Sequence, residues 1–209
     1  MRDELDLRQY APATDRNREP ILKVLQQMLP PTGCVLEMAS GTGQHAIYFA
    51  PRLQPRRWLP SDPNPLARDS ISAWREVNPV ENLLPPLDLD AASSDWPSKA
   101  QAVATDITAI VNINMIHISP WASCLGLMAG AGQILPAGGV LYLYGPYRRK
   151  GQPTAPSNEA FDQQLRSQNP AWGLRFLEDV VAAAAQQSLS LKTIFEMPAN
   201  NLSVVFERS

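Results

Sequence analysis

The chain of 209 residues holds only two cysteines, Cys34 and Cys124. That rules out a disulfide framework and a thiolate zinc site, and no metal site is expected. No run of apolar residues reaches the length of a membrane-spanning helix. The opening Met1-Arg2-Asp3-Glu4 is charged and lacks the apolar stretch of a secretory signal, so a cytoplasmic location is the expectation. Neither sign of charge dominates: 18 Lys and Arg stand against 20 Asp and Glu, a net charge of −2. A chain so balanced offers no basic footprint for nucleic acid or an anionic membrane. Repeats, low-complexity tracts and interdomain linkers are also missing, so residues 1–209 read as a single domain.

What the chain does have is core material, with a 44% hydrophobic content, and 20 prolines that punctuate its loops. Its centre is Val35-Leu36-Glu37-Met38-Ala39-Ser40-Gly41-Thr42-Gly43-Gln44-His45. The apolar run Cys34, Val35, Leu36 predicts a buried strand with Glu37 at its carboxyl end. Ser40-Gly41-Thr42-Gly43 predicts a turn, and Ala46-Ile47-Tyr48-Phe49-Ala50 a helix. Strand, glycine turn and helix form the nucleotide-binding corner of an open α/β sheet. Glycine suits such a turn because a Cβ would obstruct a ligand's approach to the backbone, and because φ > 0 is open to it.

Two ligand classes use this corner. Gly41, Gly43 and Ala46 fit the G-x-G-x-x-G/A spacing that places a pyrophosphate on a helix N-terminus, which keeps a nicotinamide-dependent oxidoreductase as an alternative. The acid four residues before the first glycine, Glu37, fits the S-adenosylmethionine (SAM) version of the turn. SAM carries no phosphate but has a sulfonium and an ammonium group, so a carboxylate suits it better.

Further acids follow at predicted strand ends. Arg57 to Ser61 predicts a second strand, and Asp62 follows Gly43 at the distance where an acid meets ribose hydroxyls. Leu83 to Leu89 predicts a short third strand. Asp88, directly after an apolar residue, is expected to accept from an adenine amino group, in preference to Asp90. Asn64-Pro65 predicts the start of a helix that ends near Asn78. Near the N-terminus, Thr14 or Asn17 is expected to cap a helix that starts near Pro20. Residues 1–20 then form an arm whose Tyr10, Arg16 and Asn17 fold over the cofactor and hold its carboxylate.

Asp106 to Met115 is the strongest β signal, apolar and β-branched as a central parallel strand should be. Ligands in such sheets bind outside the carboxyl ends of the strands, so Asn114, His117 and Ser119 are candidates for the reacting face. His117 is the candidate base. A small-residue helix over 120–135 and a strand over 140–144 come next. Arg148-Arg149-Lys150 reads as a solvated basic loop. Residues 145–175 are the expected substrate lid. Two last strands, 189–195 and 202–206, are joined so tightly that they must be antiparallel.

The sum is an α/β, doubly wound, mostly parallel sheet with a C-terminal antiparallel strand. Glu37-Met38-Ala39-Ser40-Gly41-Thr42-Gly43 resembles the SAM-binding loop of the seven-stranded class I methyltransferases, with Ala39 where those have their first glycine. Nearly the whole chain also resembles an uncharacterised methyltransferase-like family, a domain of unknown function found in bacteria and animals. Tyr10 to Asn17, Ala39 to His45, Asn112 to Trp121, Tyr144 to Tyr147 and Met197 to Asn201 carry that likeness.

The resemblance implies a Rossmann-like, seven-stranded fold and SAM as cofactor, with S-adenosylhomocysteine (SAH) as product. It implies no particular methyl acceptor; a small molecule, methylated at oxygen or nitrogen, is the expectation. Asn114-Met115-Ile116-His117 departs from the N/D-P-P-Y/F pattern of enzymes that methylate bases or glutamine. In this reading Glu37, Ser40, Gly41 and Gly43 hold the methionine part, Asp62 the ribose and Asp88 the adenine. Asn114 lies beside the cofactor, Arg16 holds its carboxylate, and His117 and Tyr147 face the substrate. A non-catalytic interaction module on the same fold is a further alternative.

Overall fold

A computed structural model describes residues 6–209. Six strands form one sheet among the described residues: β1 (Cys34–Met38), β2 (Arg57–Ser61), β3 (Ile107–Ile113), β4 (Val140–Gly145), β5 (Leu189–Met197) and β6 (Asn201–Arg208). Their order is β2-β1-β3-β4-β6-β5. The first four are parallel neighbours, and β6 inserts antiparallel between β4 and β5. This is the expected doubly wound sheet with an antiparallel C-terminal strand.

The strand count falls one short of seven. The segment expected as the third strand touches β2 through only two isolated parallel bridges, Trp58 to Leu83 and Ser61 to Leu87. The cause is proline. Leu84 N–H donates to Trp58 O and Leu87 N–H to Pro60 O, but between them lie Pro85 and Pro86, facing Pro60 on β2. Three missing N–H groups break the ladder.

Side chains alternate across the sheet. Leu36, Leu59, Ile110, Leu141, Leu143 and Phe206 face one core with the helices α4 (Trp96–Val103), α5 (Trp121–Ile134) and α7 (Leu177–Ala185). Val35, Trp58, Ala109, Val111, Tyr142 and Val205 face the other, covered by α1 (Pro12–Met28) and α2 (Gln44–Phe49). With both faces covered, β3 and β4 are buried almost throughout, as their largely apolar sequences require, Thr108 and Asn112 being the polar residues of β3.

Three helices set the positions that matter for the site. α3 (Pro65–Val77) begins as expected: Asn64 Oδ1 accepts from Leu66 N–H at 3.0 Å, and Pro65 fills the first helical position. α1 begins eight residues earlier than expected, at Pro12, and runs through Pro20. Pro12 is itself a good first-turn residue, and helix from Pro12 carries Arg16 and Asn17 onto one end of the sheet. α6 (Pro156–Gln168) lies within the excursion between β4 and α7. That excursion is tied down by charge. Arg148 pairs with Glu159 at 2.6 Å and Asp162 at 3.0 Å, and Asp162 Oδ1 accepts from Leu174 N–H at 2.7 Å.

Candidate functional site

The glycine turn sits at the carboxyl tips of β1 and β2. Ala39, Gly41 and Gly43 have φ of +59°, +55° and +83°. Ala39, which replaces the resemblance's first glycine, therefore occupies a backbone conformation where glycine would be unstrained. The two glycines do different work. A Cβ on Gly41 would meet nothing within 4 Å, so that side of the turn is open. A Cβ on Gly43 would lie 2.9 Å from Ile71 Cγ1 and 3.0 Å from Ile71 Cα. Gly43 thus lets α3 approach the turn, a packing role that the sequence did not suggest.

Beneath the turn, Glu37 is 2% exposed and accepts from Trp58 Nε1 at 3.0 Å. Burial raises its pKa from 4.5 to about 7. Ser40 ties the strand tips together: its N–H donates to Ser61 O at 2.8 Å and its hydroxyl accepts from Ser61 N–H at 3.1 Å. Asp62 holds the turn from the next strand, accepting from Gly41 N–H and from Asn64 N–H, both at 2.9 Å.

Two cavities open at these strand tips. The first, about 250 Å³, is walled by Met38, Gly41, Asp62, Asp90, Ile113 and Met115 among others. Asp88 is not there. Its side chain is 68% exposed and pairs with Arg68 at 3.2 Å, while Asp90 takes the cavity wall. The break at Pro85-Pro86 accounts for the difference: with no regular strand, the acid nearest the apolar run is not the acid that lines the cavity, and Asp90, itself exposed, accepts from Ala92 N–H at 2.9 Å.

The second cavity, about 430 Å³, is walled by Arg16 and Asn17 from α1, Tyr144 and Pro146 at the end of β4, and Asn158 and Phe161 from α6. Asn114 and the turn through Ala199 and Asn201 complete it. Asn114 forms the seam between the cavities, since its neighbours Ile113 and Met115 line the first. It is left-handed, with φ +66°, and its N–H donates to Tyr144 O at 2.8 Å. Arg16, expected at the cofactor's carboxylate, lines this second cavity and not the first. Tyr10 lines neither; its ring packs edge-on against Trp74, 5.0 Å between centroids.

The structure buries both residues expected on the substrate side. His117 is fully buried, lines neither cavity, and neither ring nitrogen has a hydrogen-bond partner. Burial lowers its pKa to about 3. Its ring packs edge-on against Tyr147 at 4.9 Å, and the Tyr147 hydroxyl is likewise buried and unpartnered. His117 turns inward because the 3-10 turn Met115–His117 follows Asn114 directly, and Gly145 leaves room for the ring. The basic run 148–150 is not solvated freely either: beyond the Arg148 pairs, Arg149 pairs with Glu196 and Lys150 with Asp179, each at 2.6 Å. Asp90, passed over for Asp88, lies on a wall, and Asn158 and Phe161 of the expected lid and Asn201 of the Met197 to Asn201 stretch are wall residues to which sequence reasoning assigned no individual role.

The fold is that of the Rossmann-like SAM-dependent methyltransferases, as solved structures make plain. An O-methyltransferase family protein from Burkholderia thailandensis superposes with TM-score 0.76 at 13% identity, over 94% of this chain and 57% of that one. Human N-acetylserotonin methyltransferase in complex with SAM gives 0.76 at 11% identity, over 94% and 53%. The mitomycin 7-O-methyltransferase MmcR gives 0.77 at 8% identity, over 94% and 54%. The chain thus spans little more than half the length of these proteins. Residues 8–208 match the family described as Protein of unknown function (DUF938), and the chain belongs to that family.

Proposed function

We propose that this protein is a SAM-dependent methyltransferase acting on a small molecule. The observation that carries the reading is the first cavity: it adjoins the open face of Gly41 and has two carboxylates, Asp62 and Asp90, on its walls. The residues present fit SAM. Each Asp62 oxygen already accepts one backbone N–H and retains a lone pair for a ribose hydroxyl. Asp90 can accept from an adenine amino group. Glu37 sits under the turn as a buried carboxyl with a raised pKa, a group that an ammonium would ionise and pair with. When bound, SAM would supply an electrophilic methyl group, and the chain's part is to place the acceptor beside it.

A pyrophosphate fits less well. Two of the turn's N–H groups are engaged, Gly41 with Asp62 and Gly43 with Ser40 O at 3.1 Å, and the adjoining cavity is lined by the carboxylates Asp62 and Asp90, which would repel a phosphate. No helix among the described residues is long and apolar enough to cross a membrane.

Calorimetric titration with SAH and with NAD tests the reading. SAH should bind and NAD should not. Asp90→Ala should weaken SAH by at least about tenfold, the loss of one hydrogen bond to a charged group. Asp88→Asn should leave it unchanged. Absence of SAH binding, or preference for NAD, would overturn the reading.

A further inference from the structure

The second cavity carries positive character and no base. Arg16 stands on its wall with no ion pair among the described residues, and no Asp or Glu lines it. The first turn of α6 also faces it, through Ser157 and Asn158, and that helix has no side-chain cap. Pro156 has no N–H and Asn158 N–H is taken by Ala155 O at 2.9 Å, so Ser157 N–H is the donor the first turn has left, and the helix dipole adds to its pull on an anion. Asn158 is 7% exposed, and its Nδ2 donates to Asn200 O at 3.0 Å. The lining otherwise holds neutral amides, Asn17, Asn114 and Asn201, with the rings of Tyr144 and Phe161.

A general base has to reach the proton it removes. Among the described residues the wall has no Asp, Glu, His, Lys or Cys. Burial raises the pKa of the one phenol, Tyr144. Neither imidazole lines the cavity: His117 is sealed behind Gly145, and His45 is bonded through Nε2 to Asn17 Oδ1 at 2.8 Å, its pKa lowered to about 3 by burial. A phenol or alcohol acceptor would need a base that is missing. An ammonium acceptor would need one too, and would meet Arg16 with no acid to balance it.

We propose that the methyl acceptor is a small carboxylate-bearing molecule whose carboxylate oxygen is itself the nucleophile. This rests on the methyltransferase reading. The oxygen forms a new bond to the methyl carbon as the carbon–sulfur bond breaks. The electron pair of that bond stays on sulfur, which passes from sulfonium to thioether, while the carboxylate becomes a neutral ester. No proton changes hands, so no base is required. Arg16 and the start of α6 attract the anion. Asn114, at the seam between the cavities, orients it with a neutral amide. A full positive charge held against the reacting oxygen would blunt it; an exposed arginine at the cavity's edge does not.

The test uses protein saturated with SAH, with benzoate, benzamide and benzylamine as probes and binding read by ligand-observed NMR. Benzoate should bind at least about tenfold more tightly than benzamide, the value of one charge-assisted contact, and benzylamine should not bind. Arg16→Gln should erase the preference for benzoate, Arg16→Lys should keep most of it, and neither should change SAH affinity. Equal binding of benzamide or benzylamine, or no probe binding at millimolar concentration, would overturn the proposal. So would loss of SAH affinity in Arg16→Gln, which would return Arg16 to the cofactor's carboxylate. Failure of SAH itself to bind is seen in the separate titration and marks the methyltransferase reading as the one at fault.

Discussion

The two cavities on either side of Asn114 are made of opposite materials. Among the described residues the first has two carboxylates and no cation on its walls; the second has one cation, several amides and no carboxylate. The first is built mostly from the tips of neighbouring strands and the loops that follow them. The second gathers α1, α6, the end of β4 and the turn before β6. Charge therefore changes sign across one residue. In the proposed reaction a cationic ligand lies on the acidic side and an anionic one across the seam, and both charges would be lost on methyl transfer.

The sharpest way to break the comparison uses the two glycines of the turn. Gly43→Ala should destabilise the fold by about 2–4 kcal/mol, from overpacking against Ile71 and left-handed strain together. Thermal unfolding would show it. Gly41→Ala carries only the strain, about 1–2 kcal/mol, because its Cβ meets no protein atom. It should nevertheless abolish SAH binding, since the new methyl projects toward the first cavity. A Gly41→Ala variant that binds SAH normally would show that the acidic cavity is not the cofactor's.

Glu37 sharpens the same contrast through pH. An unfolded glutamate releases its proton near 4.5, whereas folded Glu37 keeps its own to about 7. Between those values the folded protein binds the extra proton, so this group makes stability fall as pH rises. Glu37→Gln should remove that slope and be more stable than the parent at pH 8, by up to about 3 kcal/mol. His45 and His117, both lowered to about 3 by burial, act in the other direction. Their contribution falls away as pH drops below 6.5. They are common to both proteins and cancel in the difference between urea curves. Bound SAH, whose ammonium favours the ionised carboxylate, should flatten the parent's slope; an unchanged slope would take Glu37 out of the site.

The first cavity was largely legible because it is local. Glu37, Gly41 and Asp62 lie in strand–turn units whose pattern is written in consecutive residues. The reading failed where local regularity failed. Pro60, Pro85 and Pro86 broke the outer ladder, and with it the rule that chose Asp88 over Asp90. The second cavity was legible only in part. Arg16, Asn17, Asn114 and Tyr144 lie in stretches that carry the family likeness, but no spacing reveals that they converge with Asn158 and Phe161. That convergence depends on where the antiparallel β6 sets the turn through Ala199, and on how the Arg148 ion pairs seat α6. A left-handed Asn114 also turns the chain so that His117, at the expected reacting face, points into the core.

His117 yields the smallest expected effect and bears on the absence of a base. A buried imidazole with both nitrogens unpartnered adds desolvation cost and no compensating hydrogen bond. His117→Leu keeps an apolar group of similar size beside Tyr147. Such exchanges cost less than about 1.5 kcal/mol, and here the lost desolvation penalty offsets part of that. SAH affinity and benzoate binding should both be unchanged, because the ring lies behind Gly145 and touches neither cavity. If instead the variant bound SAH and benzoate normally but lost turnover with the true acceptor, the imidazole would have to reach the second cavity in another arrangement of the 146–176 excursion. The acceptor would then be a group that must lose a proton, and the carboxylate would be excluded as nucleophile.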